Sequence, residues 1–158
     1  MTSPDSAVVA VIRRGLIAIF LFGVTGIAIE LVLLEHLEGW KQWVPVALLA
    51  IGVVLGAWLA FRPGPVALRA FQGLLGTYLL AGVVGTWFHY SGNVEWELER
   101  TPEIAGFALF KAAMEGATPS LAPGTMIQLG LIGLLFTWRH PGLQGRQHVR
   151  IPPAGAIS

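Results

Sequence analysis

Four residues in this sequence have side chains suited to metal or proton chemistry: Glu30, His36, His89 and Glu95. Imidazole with carboxylate is a donor set for zinc, copper, iron or nickel. Two imidazoles at matched depth also suit the axial positions of a haem iron. Each histidine stands alone, with no second His or Glu a turn away on its own helix. A metal or haem site therefore requires distant segments to converge, with Glu30 or Glu95 as helper. Glu30 is the one of the four that lies inside an apolar run. A carboxylate there is costly, so it is expected to face the other helices or a watery crevice and to have a partner. It then serves as a proton or cation ligand, the coupling site of a small transporter, or a group that fixes helix packing. His140 and His148 read as solvated residues near the C-terminus.

Several chemistries have no support. The chain has no cysteine, which excludes disulfides, thiolate metal sites and cysteine nucleophiles. It has no Gly-x-Gly-x-x-Gly or Walker-type phosphate loop, no Ser-His-Asp spacing, and no basic block of the kind that binds nucleic acid. Polar residues within the apolar runs are sparse, among them Thr25, Gln72, Thr77 and Gln128. That lining is thin for a wide aqueous channel.

The elements that must position these residues follow from composition. The 158 residues are 54% hydrophobic and 12% charged, with mean hydropathy +0.68. A soluble domain carries roughly 25% charge, so this chain cannot cover a water-facing surface, whereas a bilayer favours an apolar exterior. The fold class is an all-α membrane protein: a four-helix transmembrane bundle with an outer-face amphipathic helix between helices 3 and 4. Residues 1–140 form the transmembrane domain, with spans over 15–36, 44–61, 70–89 and 121–138, each near the length a ~30 Å core requires. Ser3-Pro4-Asp5 is a helix-start pattern, so the first helix is expected to begin near Pro4. Arg13-Arg14 before an apolar run also fits a signal peptide. That reading is rejected because the run is too long and no small-residue cleavage site follows. Arg62-Pro63-Gly64-Pro65 makes spans two and three an antiparallel hairpin.

Residues 90–120 form the outer segment. The alternation in Glu95-Trp96-Glu97-Leu98-Glu99 predicts a short strand. Thr101-Pro102-Glu103 then predicts a helix running to about 115, with Ile104, Phe107, Phe110 and Met114 on one side. Such a helix lies on the membrane surface or packs as a lid on its own bundle. Residues 141–158 read as an irregular cytoplasmic tail.

The basic residues sort by side. Arg13, Arg14, Arg62, Arg69, Arg139, Arg146 and Arg150 fall on one side, and Lys41, Arg100 and Lys111 on the other. This places both termini in the cytoplasm of a cell with an inner membrane. Trp40, Trp43, Trp87, Tyr90 and Trp96 form a belt at the outer face. The 20 glycines include Gly52 and Gly56 in a small-xxx-small pair, Gly73, Gly130 and Gly133, all expected to pack helices closely. Besides the bilayer, the expected partner is another membrane protein or a second copy of the chain. The expected function is that of a non-enzymatic accessory or assembly subunit of a larger membrane complex. A membrane redox or metal/haem-binding protein using His36 and His89 is the alternative, and a small transporter coupled to Glu30 the second alternative.

Overall fold

A computed structural model describes residues 4–35 and 39–143, and every regular element in them is helical. The order is α1 (Pro4–Leu33), α2 (Trp40–Phe61), α3 (Pro65–Arg100), α4 (Gly106–Met114), α5 (Gly124–Thr137) and a short 3₁₀ turn, Pro141–Leu143. Within them Ala7–Leu33, α2 and α3 are long and apolar enough to cross a membrane. Helix α5 is equally apolar but has 14 residues.

Each boundary has a local cause. Pro4 is the first described residue of α1, and it carries no N–H to waste at a first turn. Helix α2 ends at Phe61, before Pro63-Gly64, and Pro65 opens α3 at its first position. Helix α3 then runs for 36 residues, about 54 Å at 1.5 Å per residue. This corrects the expected strand over 95–99, which is the last part of α3. Ser91-Gly92 does not break a helix, and the first strong stop is Thr101, whose position before Pro102 disfavours the helical region. Pro102-Glu103 lies in a turn closed by the Ile104 N–H to the Thr101 carbonyl, and Gly106 adopts φ +58°. Helix α4 therefore starts at Gly106, several residues later than the capping pattern suggests.

Helix α1 packs on α2 and α5, and α3 packs on α2 and α5, so the four form a ring. Side chains fill its centre. Phe20 meets Phe71 edge-on at 5.0 Å between ring centroids, Phe71 meets Phe136 at 6.3 Å, and Tyr78 lies beside Phe20 at 6.1 Å. All four rings are buried, with Leu49, Leu59 and Leu75 around them. The exterior is apolar: Phe22, Phe61, Val66 and Trp40 are each more than 70% exposed. An exterior of this kind suits contact with lipid rather than water.

The glycines divide by environment. Gly52 and Gly56 are buried, and a Cβ at either would meet Tyr78, Phe20 or Leu21. Gly130 and Gly133 let α5 approach Leu79 and Leu75 of α3. Gly73 differs, since it is exposed and no atom lies within 4 Å of its Cβ direction. Gly82 and Gly85 admit Ile127 and Pro123 at the other end of the same contact.

Candidate functional site between helices two and three

The chemically richest region is a cavity of about 670 Å³ between the start of α2 and the C-terminal part of α3, a size common for small-molecule pockets. Helix α2 contributes Lys41, Gln42 and Pro45, and α3 contributes Trp87, Phe88, His89, Ser91, Gly92 and Glu95, with Thr118 closing one side. The first turn of α2 lacks an acidic residue, and Gly39 supplies no side-chain cap. Its N–H groups and Lys41 thus make this a positive helix end. Pro45 has no N–H to give the Lys41 carbonyl one turn earlier. Lys41 Nζ sits 4.8 Å from the centre of the Phe88 ring, a cation–π distance. Gln42 keeps its Oε1 buried with no hydrogen-bond partner among the described residues.

The cavity wall depends on a polar hub that sequence reasoning missed. Asn93 is buried on α3. Its Nδ2 lies 2.9 Å from the Ala113 carbonyl, 2.6 Å from the Thr118 carbonyl and 3.0 Å from Ser120 Oγ, and its Oδ1 accepts the Thr118 N–H at 3.2 Å. Ser120 Oγ in turn donates to the Ala113 carbonyl at 3.0 Å. Gly116 is required here, because a Cβ would collide with the Asn93 amide. The segment between α4 and α5 is thereby tied to α3. His89 Nδ1 donates to the Pro119 carbonyl at 3.0 Å, which puts the proton on Nδ1. The only signal for this hub in the sequence is a single Asn after Ser91-Gly92, and Asn is common in loops and caps.

The proposed donors separate in space. His89 and Glu95 line the same cavity. Glu30 does not line it; it is exposed on α1, among exposed Phe22, Gly26, Ile29 and Leu33. The expectation that Glu30 faces the bundle is therefore corrected: the inner stripe of α1 is Ile17, Phe20 and Val24, and position 30 falls off it. His36, Glu38, His148 and the tail from 144 onward lie outside the described residues. Among the described residues no three His, Asp or Glu side chains gather as metal ligands.

Helix α4 is tied down through Ala113, its one buried residue. Tyr90 and Phe110 approach at 6.0 Å between centroids, while Phe107 is 76% exposed. Of the four residues expected on one side of this helix, Ile104 precedes it and Phe107, Phe110 and Met114 belong to it.

At the opposite end Arg13 Nη2 donates to the carbonyls of Trp138 and Arg139 at 3.2 and 3.0 Å, satisfying groups left open where α5 ends. His140 is buried rather than solvated. Its ring lies 5.3 Å from that of Phe136, and its Nδ1 accepts the Gly142 N–H at 3.0 Å. Burial, with a smaller contribution from Arg13, pushes this imidazole below its usual pKa. No family model matches the chain, and neither curated proteins nor solved structures give a match.

Proposed function

We propose that this chain is a non-enzymatic, four-span inner-membrane protein with cytoplasmic termini, and that it acts as an accessory subunit packed laterally against another membrane protein. The observation that carries the reading is Glu30, a carboxylate on the exposed apolar face of α1 with no ion pair or side-chain hydrogen bond among the described residues. A lone carboxylate on a lipid-facing surface is unfavourable by about 2.5–3.5 kcal/mol at mid-depth and less near the interface. A basic or donor group from a neighbouring membrane helix removes that cost.

Four crossings are supported by what lies alongside α3. The segment from Pro119 to Gly142 follows α3 from His89, bonded to Pro119, to Leu68, which touches Gly142. That stretch of α3 is about 30 Å long, the thickness of a hydrocarbon core. The short helix α5 is extended at its start by turns over residues 119–123. Orientation is supported by the basic residues: Arg13 and Arg14 border a small cleft with Pro63 and His140 at one end, and Lys41 lies at the other. The exposed Phe107 suits an α4 seated in the membrane interface.

The experiment is purification from native membranes in mild detergent, with a photo-crosslinking residue at Leu33 beside Glu30. A stoichiometric crosslinked partner that is lost in Glu30→Leu, with the melting temperature unchanged, is the expected result. A strictly monomeric protein with no crosslink in either form overturns the reading.

A further inference from the structure

The outer cavity contains opposite charges that do not neutralise one another. Lys41 and Glu95 both line it, yet no ion pair joins them, and the ion pairs among the described residues are Arg100–Glu97 and Lys111–Glu115. The two ends of the cavity also differ in kind. The α2 end offers Lys41 and a helix start at which the N-cap residue Gly39 has no capping side chain, a combination that favours an anion. The α3 end offers the Glu95 carboxylate. Trp87, which also lines the cavity, is 62% exposed. The complementary ligand is a dipolar ion that carries both an anionic group and a hydrogen-bonding ammonium.

The position of the cavity selects the source. It lies where the apolar part of α3 gives way to Glu95, Glu97 and Glu99, beside the exposed tryptophans Trp40, Trp43 and Trp87. Tryptophans of this kind sit at headgroup level. We infer that the cavity between α2 and α3 binds the headgroup of one phosphatidylethanolamine molecule, with its phosphate at Lys41 and its primary ammonium at Glu95. A quaternary ammonium has no N–H to donate to the Glu95 carboxylate, and a glycerol headgroup has no cation for it, so choline and glycerol lipids fit less well. The inference does not depend on the lateral partner at α1, which is on a different helix.

The test uses the full chain in nanodiscs of phosphatidylethanolamine, phosphatidylcholine and phosphatidylglycerol in equal parts, then native mass spectrometry of the lipid retained after transfer to mild detergent. One phosphatidylethanolamine per chain, favoured about tenfold over either other lipid, is expected. Lys41→Ala and Glu95→Gln are each expected to bring that ratio near one. Both side chains are exposed, so circular dichroism should show unchanged helix content. Equal retention of the three lipids by the unmodified chain overturns the inference. So does a preference that both variants keep. Soluble phosphoethanolamine is the comparison arm: if it binds the lipid-free protein while no lipid is retained, the lipid assignment is overturned.

Discussion

Tyr78 of α3 donates its hydroxyl to the Leu48 carbonyl of α2 at 3.0 Å, and its ring tip occupies the space left open by Gly52. One turn of α2 thus supplies both an acceptor and a vacancy to the same side chain. Two substitutions separate these contributions. Tyr78→Phe removes only the hydrogen bond and is expected to cost about 0.6–1.7 kcal/mol, the range for interhelical bonds in membranes. Gly52→Val adds atoms where the ring already sits and is expected to cost more, about 1–3 kcal/mol from overpacking as well as the bond. Gly73→Ala, which meets no atom within 4 Å, should change stability by less than about 0.5 kcal/mol. Thermal unfolding in one detergent ranks the three, and a Gly73→Ala cost equal to that of Gly52→Val contradicts the assignment.

The Asn93 hub predicts a local effect. Asn93→Leu removes every polar contact between α3 and the 113–120 segment that passes through this amide. It leaves the Thr118 N–H and the Thr118 carbonyl to find other partners, a cost of about 1–3 kcal/mol for each that stays buried, while the Ala113 carbonyl keeps Ser120 Oγ. Amide exchange is expected to speed up over 106–121 and to stay unchanged in the α1–α2 contact. Uniform acceleration along the chain would place Asn93 in the global core instead.

His140 predicts acid sensitivity at the Arg13 end. Its imidazole is held below its usual pKa in the folded protein, while the unfolded chain titrates near 6.5. Below that value the unfolded state binds more protons, so stability is complete above about pH 6.5 and declines as pH falls toward the folded pKa. Melting at pH 7.5 and 5.5 measures the decline. His140→Gln should reduce it, and Arg13→Leu should move its lower limit upward by removing the neighbouring positive charge. A decline identical in all three proteins assigns it to other groups.

Glu30 predicts a separation of stability from association. It is exposed and forms no polar contact with the described residues, so Glu30→Gln should leave melting within about 0.5 kcal/mol of the original. If Glu30→Gln keeps the lateral partner while Glu30→Leu loses it, the contact is a hydrogen bond; if both lose it, charge is required. Measuring co-purified partner in the two variants decides between them.

Much of the architecture was legible because a membrane protein is built from long one-dimensional signals. Apolar runs, the Pro63-Gly64-Pro65 turn and the sparse charge identify helices in lipid without reference to any tertiary contact. The extent of α3 was less legible, since the Glu95-Trp96-Glu97 alternation is also compatible with a helix that has left the membrane. Composition and spacing alone determined that the chain is helical and suited to a bilayer, and that its chemistry-bearing groups are few. Tertiary structure decided which of them meet. It turned Glu30 outward, brought His89 and Glu95 to one cavity with Lys41 and Gln42, and buried Asn93 and His140. The reason is geometric: a helix places successive residues 100° apart. Which face of each helix turns inward is settled by packing around Phe20, Phe71, Tyr78 and Phe136, and a list of apolar residues does not encode that rotation.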